Sequence, residues 1–294
     1  MNPQTEAKRN LSKRFDGSKS RDARLLAAEA NTLRVQGSYH EAEALFRQAV
    51  ALAEEAFGPN HLEVAAILNN LAVLFKYTGR FDEAESLYGR ALAITQQSLG
   101  ANDPDVAAIY HNLGGLEHAR RRYAAAEPFA RQSVEIREKA LGPDHVDVAA
   151  DIAALAAILD GQRKYDESEP LYHRVLAIFE KAYGSEHYEV AINLNNLAAL
   201  KHAKRNFAEA LPLYQRALAI KEKLLGTEHP DVATTLNNLA VLLTAMGKRE
   251  EAAQLYARAL AICERTLEPT HPKVAGCHRN LERCRSVSLR TRRG

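Results

Sequence analysis

Residues 71–92 read L-A-V-L-F-K-Y-T-G-R-F-D-E-A-E-S-L-Y-G-R-A-L. Apolar side chains recur at helical spacing on both sides of the polar break at Thr78 and Gly79, which predicts two helices joined by a tight turn. The motif G-x-x-x-x-x-V-A precedes the first of these helices and returns every 42 residues. Its anchors are Gly58, Gly100, Gly142, Gly184, Gly226 and, with glutamate in place of glycine, Glu268.

The 42-residue period limits both the fold and the kind of function. A period between about 20 and 50 residues indicates one supersecondary unit that is copied and stacked. We therefore expect the 294 residues to form one continuous all-α repeat domain that acts through its surfaces. Six helix pairs are expected to begin near Asp22, Glu63, Asp105, Asp147, Glu189 and Asp231, and an unpaired helix from about Lys273 is expected to cap the stack.

Basic residues are concentrated at the two ends of the chain. Residues 1–21 carry six basic and two acidic side chains, and residues 279–294 carry six arginines and one glutamate, so the body between them is acidic although the formal charge is +2. We expect a disordered basic tail at 1–21, a repeat array at 22–282 and a basic tail at 283–294. Nucleic-acid binding by the tails is the weaker alternative to solvation.

The sequence has the features of a soluble protein of the cytoplasm. No stretch approaches the roughly 20 apolar residues of a membrane helix, and the first 25 residues lack the apolar core of a secretory signal. The cysteines lie near one end without zinc-type spacing, so we expect reduced thiols. They are Cys263, Cys277 and Cys284.

The quoted stretch resembles a tetratricopeptide repeat, and the 42-residue period with L-G-P-D-H and L-N-N-L-A resembles the kinesin light chain subclass. This resemblance implies a right-handed superhelical solenoid whose first helices line a concave peptide-binding groove. Kinesin light chains reach their motor through a long coiled coil ahead of the repeats, whereas about 21 polar residues precede the first helix here. We therefore expect only the peptide-binding property to carry over.

Asparagine is less favourable than alanine inside a helix by roughly 0.7 kcal/mol, yet it recurs in the middle of the first helices. Two interpretations stand side by side. The amides clamp the backbone of an extended peptide, or they hydrogen-bond between adjacent first helices and fix the stacking. The column holds Asn70, Asn112, Asn196, Asn238 and Asn280, and the preceding column adds Asn69, Asn195 and Asn237.

The same groove is expected to hold cations that complement an acidic peptide or a free C-terminal carboxylate. A solvated face of mixed charge is the alternative. The cations are Lys76, His111, His118, His202, Arg279 and Arg283, and Tyr77 is expected beside Lys76 in the same groove. Ala154 interrupts the asparagine column and offers either an apolar seat for one large ligand side chain or merely tight helix packing.

No motif of nucleophilic, phosphate-binding or zinc-dependent catalysis occurs in the chain, so we expect no enzymatic activity, cofactor or small-molecule substrate. Glu117 and Lys201 are the only interior charges that could suggest catalysis, and we expect them to reach the exposed edge of their helices. The recurring histidines near residues 61 and 145 are too far apart on stacked units to share a metal. An adaptor that binds a peptide, as a monomer or weak homo-oligomer, is the leading prediction. The alternative is a structural module that assembles through its repeat ends or convex face.

Overall fold

The computed structural model describes residues 3–266, 268 and 271–291, and the side chains of residues 17–266, 268 and 271–285. These residues form thirteen α-helices in two compact units, Met1–Gln162 and Arg163–Gly294. Unit 1 contains α1 (Pro3–Gln36), α2 (Tyr39–Phe57), α3 (Leu62–Tyr77), α4 (Phe81–Leu99), α5 (Pro104–Ala119), α6 (Tyr123–Leu141) and α7 (Val146–Gly161). Unit 2 contains α8 (Tyr165–Tyr183), α9 (Tyr188–Ala203), α10 (Phe207–Leu225), α11 (Pro230–Ala245), α12 (Arg249–Thr266) and α13 (Pro272–Thr291).

The odd-numbered helices, called first helices below, alternate with the even-numbered second helices as the period predicts. Within unit 1, α1, α3 and α5 each pack against the second helix that follows and against the next first helix. The small side chains of Ala42, Ala84 and Ala126 are fully buried and allow the close crossing, while Phe46 and Tyr88 fill the space beside them. The all-α repeat fold is thus confirmed. No helix in the described part of the chain has the length and apolarity needed to cross a membrane.

The recurring histidines are helix N-caps, as expected for loop and cap residues. In His145 the ring Nδ1 accepts a hydrogen bond from the backbone N–H of Asp147 at 3.2 Å, which satisfies one of the free donors of the first turn. Asp103 does the same with its carboxylate at 2.8 Å. Equivalent caps are formed by His61, His187, His229 and His271.

The turn after each first helix requires a left-handed residue. Gly37, Gly79 and Gly247 adopt positive φ there, but Arg121, with φ of 60°, occupies the same position after α5. The N–H of Arg121 bonds to the carbonyl of His118 and that of Arg122 to the carbonyl of Glu117, both at 2.9 Å, which is the Schellman arrangement. The turn is therefore conserved in shape, although Arg121 has to adopt a left-handed backbone conformation there.

Arg121→Gly is expected to raise the free energy of unfolding by about 1 kcal/mol, because a left-handed non-glycine residue costs about 1–2 kcal/mol and glycine returns part of that as chain entropy. Urea denaturation followed by circular dichroism measures the change. Gly79→Ala is the reverse control: its Cβ meets no atom within 4 Å, so any loss comes from φ alone. Equal stability of all three proteins would contradict the assignment of strain.

Both ends of the chain are helical where the sequence suggested disorder. α1 begins at Pro3 and α13 ends at Thr291. After Pro3 the N-terminal segment contains only one glycine and no proline before Gln36, and it is rich in good helix formers. In addition, Lys19 Nζ lies 2.5 Å from Glu55 of α2, which ties the extension of α1 to the first pair. The division into tails and array stays a prediction.

Candidate functional site

The asparagine columns form hydrogen bonds between successive first helices. In unit 1 the Nδ2 of Asn112 on α5 donates to Oδ1 of Asn69 on α3 at 2.9 Å. The stacking interpretation therefore holds for these side chains, and a ligand contact of the same amides stays a prediction. We call this arrangement the asparagine ladder; in unit 2 it joins Asn238 to Asn195 at 3.3 Å and Asn280 to Asn237 at 2.8 Å.

Two of the predicted asparagines lie outside the ladder. The side chains of Asn70 and Asn196 make no hydrogen bond with any described residue, and both are partly exposed. Each ladder bond joins residues 43 apart, and the positions 43 before these two are Ala27 and Ala153, which have no polar side chain. Their amides therefore have a donor and an acceptor without a partner among the described residues.

The ladder changes its chemistry at Ala154 in unit 1. There His111 turns its Nδ1 toward Oδ1 of Asp151 at 2.6 Å, so α5 and α7 are still joined by a polar contact. Arg137 of α6 donates to the same oxygen at 3.0 Å. The Asp151 side chain is fully buried, and its Oδ2 has no partner among the described residues. Sequence reasoning missed Asp151, which occupies the column of Ile67 and Ile109.

Three basic side chains follow one another across the first helices of unit 1: Arg34 on α1, Lys76 on α3 and His118 on α5. They are spaced by 42 residues, and we call them the cationic file. Burial and the charge of Arg34 lower the pKa of Lys76. Burial and the charge of Lys76 lower the pKa of His118. No carboxylate in the described residues pairs with any of the three, although Arg34 shares a weak bond with the Asn31 amide at 3.5 Å.

The ammonium group of Lys76 lies over α5, next to Gly115. A Cβ on Gly115 would be 3.6 Å from Lys76 Nζ, which is an ordinary van der Waals distance. Beside it the ring of Tyr77 is 60% exposed, with its centroid 5.5 Å from Lys76 Nζ and 5.9 Å from the Arg34 guanidinium. The file therefore combines positive charge with the exposed aromatic ring of Tyr77. The hydroxyl of Tyr88, which is buried, has no hydrogen-bond partner among the described residues.

Unit 2 contains a cleft of about 380 Å³ at its C-terminal end, called the C-terminal cleft below. Three predicted residues line it, and Arg249 and Tyr256 join them without having been predicted. Arg249 stands where the other second helices begin with Tyr or Phe, and it forms no ion pair with a described residue. Burial lowers the pKa of His202. The lining comprises His202, Val241, Thr244, Ala245, Arg249, Tyr256, Asn280, Arg283 and Cys284, and thus no acid.

The interior charges Glu117 and Lys201 belong to ion-pair networks. The Glu117 carboxylate accepts a bond from Arg120 at 2.6 Å, and Lys201 Nζ lies 2.6 Å from Glu169 and also contacts Glu209. The expectation that they reach the exposed edge is wrong, since both are buried and their partners cover them. Each of these buried charges is therefore neutralised by at least one opposite charge. Within the described residues no three metal-ligating side chains come together.

Comparison with family models identifies the repeats. The model described as "Tetratricopeptide repeat" matches in six overlapping segments that together run through most of the chain. The segments are residues 22–97, 63–139, 105–167, 148–223, 189–264 and 231–286. A comparison with proteins of curated function gave no match.

Similar solved structures include two proteins related to kinesin light chains. BtubC (BKLC) from P. vanneervenii is 28% identical, with a TM-score of 0.61, over 88% of this chain and 94% of BtubC. A putative kinesin light chain with nearly identical repeats from Podospora anserina is 28% identical, with a TM-score of 0.59, over 70% of this chain and 98% of its own. RapI, at 13% identity and a TM-score of 0.63, shares the fold alone.

Proposed function

Since the chain belongs to the tetratricopeptide repeat family, whose arrays are protein-interaction scaffolds, we propose that it binds an extended, acidic peptide segment of a partner protein across the first helices. The cationic file of unit 1 is the observation that carries this proposal. Stacked helices lie about 9 Å apart, and an extended chain advances about 3.4 Å per residue. Acidic residues at every second or third position of a peptide would therefore meet successive basic side chains, of which Arg34 and Lys76 carry the charge at neutral pH.

The electrostatics of the file support an anionic ligand. Burial, and after it the charge of Arg34, disfavour the charged form of Lys76 in the unbound protein and lower its pKa. A peptide carboxylate removes that repulsion and forms charge-assisted hydrogen bonds, which are about twice as strong as neutral ones. Part of the binding free energy therefore comes from neutralising the unfavourable charge of Lys76 beside Arg34.

The neighbouring polar groups suit a peptide backbone. Asn70 on α3 has an amide with no partner among the described residues, and it lies about one and two-thirds helical turns before Lys76. An amide offers both a donor and an acceptor, which matches the alternating groups of an extended chain. The exposed ring of Tyr77 adds an apolar contact for one peptide side chain. Charge selects the peptide, and the amide and ring fix its position.

The test is the affinity of a glutamate-rich peptide against that of the same peptide with glutamine in place of glutamate, measured by fluorescence anisotropy. Loss of two charge-assisted bonds is expected to weaken binding about tenfold or more. Binding of the acidic peptide is also expected to weaken as salt rises, because exposed charges are screened. A version with an amidated C-terminus separates side-chain carboxylates from the terminal carboxylate.

Two variants locate the binding on the first helices. Arg34→Gln is expected to weaken binding of the acidic peptide about fivefold, since it removes one cation of the file. Arg216→Gln is the matched control, because Arg216 lies on the second helix α10 and pairs with Glu180 at 2.6 Å. Equal affinity for the two peptides, or an equal effect of the two variants, would reject the proposal.

A further inference from the structure

Residues 14 apart meet at several interfaces between a second helix and the following first helix. Arg137 bonds to Asp151 at 3.0 Å between α6 and α7, and Lys221 bonds to the Thr235 hydroxyl at 3.1 Å between α10 and α11. The same position between α12 and α13 holds two cysteines. The Sγ atoms of Cys263 and Cys277 lie 3.9 Å apart, so the architecture of the array brings these thiols into contact.

Both thiols are buried, and a small opening lies next to them. Cys263 is 2% exposed and Cys277 6%. Both line a cleft of about 160 Å³ together with Lys273, Asn237 and other residues of α11 and α13. The third cysteine, Cys284, instead donates from its thiol to the Arg249 carbonyl at 3.5 Å. The pair is therefore distinguished from Cys284 by its geometry.

We propose that Cys263 and Cys277 form a reversible disulfide that joins α12 to the capping helix α13. The sulfur atoms must approach from 3.9 Å to about 2.05 Å. With a low-molecular-weight disulfide such as oxidised glutathione, one cysteine thiolate attacks and releases the first glutathione. The second cysteine then attacks the mixed disulfide and releases the other. Two cysteine thiols are oxidised, and one glutathione disulfide is reduced to two thiols.

The surroundings of the pair set the rate of this exchange. Burial, followed by the neighbouring Cys263, raises the pKa of Cys277 to about 12. Only the thiolate attacks, so the thiol of Cys277 reacts slowly at neutral pH and the rate is expected to rise about tenfold per pH unit between about 7 and 9. Because α13 contributes Asn280 and Arg283 to the C-terminal cleft, the disulfide also holds one wall of that cleft.

The experiment equilibrates the full chain with oxidised glutathione at alkaline pH and counts free thiols by alkylation and intact mass. The wild type is expected to lose two of its three thiols without gaining a glutathione adduct. Cys284→Ser is expected to behave in the same way, whereas Cys277→Ser is expected to form at most a mixed disulfide. Closing a loop of about 15 residues is expected to slow hydrogen exchange in α13 about 100-fold.

The urea-unfolded wild type in the same buffer shows that the reagent can oxidise the pair. Three free thiols in the folded protein under conditions that oxidise the unfolded chain would overturn the proposal. A glutathione adduct without an internal disulfide would overturn it as well. Neither outcome depends on whether the first helices bind an acidic peptide.

Discussion

Replacing Arg137 by threonine is expected to lower the free energy of unfolding by about 3 kcal/mol, since breaking a buried ion pair by removing one partner costs about 3–5 kcal/mol. Asp151 has no exposed surface, and Arg137 donates to it at 3.0 Å. After the substitution only the contact with His111 at 2.6 Å remains for the carboxylate. Urea denaturation at neutral pH measures the loss as a lower midpoint with an unchanged slope.

The preceding repeat supplies the matched control. At the equivalent interface between α4 and α5 the chain has Thr95 and Ile109 in place of Arg137 and Asp151. The double variant Arg137→Thr/Asp151→Ile thus copies a pair that this array already uses, and it is expected to be more stable than either single variant. Replacing a buried ion pair by apolar side chains is often neutral or stabilising. Additive losses in the double variant would show that the two charges do not depend on each other.

Local signals explain why the helices could be predicted closely. N-cap residues such as Asp103 and His145, and the apolar period of the helices that follow them, depend only on neighbouring residues. The predicted start near Asp105 is therefore one residue from the observed start of α5 at Pro104. The helical extension of α1 could not be seen in this way. Its contact between Lys19 and Glu55 joins residues 36 apart and depends on how α1 packs against α2.

The site was only partly visible in the sequence for a related reason. The columns of Asn70 and Asn69 follow from the period, but the bonds join residues 43 apart, an offset set by how the first helices stack. The sequence shows an acid at Asp151 where α3 and α5 have isoleucines, but it does not show that His111 and Arg137 are its partners. Arg34 could have been found, because it is 42 residues before Lys76, but its helix lacks the L-N-N-L-A motif that marks α3, α9 and α11.

Lys76→Met is expected to change stability and binding in opposite directions. Methionine keeps the length of the side chain and removes a charge that is buried beside Arg34 without a carboxylate, so the free energy of unfolding is expected to rise by about 1 kcal/mol. The affinity for an acidic peptide is expected to fall about tenfold, because the central cation of the file is lost. Urea denaturation and fluorescence anisotropy on the same protein measure the two effects.

The stability difference between Lys76→Met and the wild type is expected to depend on pH in a defined direction. The pKa of Lys76 is lower in the folded than in the unfolded protein, because burial and Arg34 disfavour its charge. Between the two values the unfolded chain binds more protons, so wild-type stability gains from Lys76 as the pH rises through that alkaline window. The advantage of Lys76→Met is thus full at neutral pH and shrinks toward high pH.

Lys204 provides the control for Lys76 because it is a lysine with partners. Its Nζ lies 2.9 Å from Asp166 and 2.8 Å from Glu169, and these contacts raise its pKa above the ordinary value. Lys204→Met is therefore expected to lower stability slightly, because exposed ion pairs contribute little, and to leave the affinity for the peptide unchanged. A loss of stability in Lys76→Met with unchanged peptide affinity would mean that Lys76 serves the fold. A gain in stability with weaker binding is what a cation retained for an acidic ligand requires.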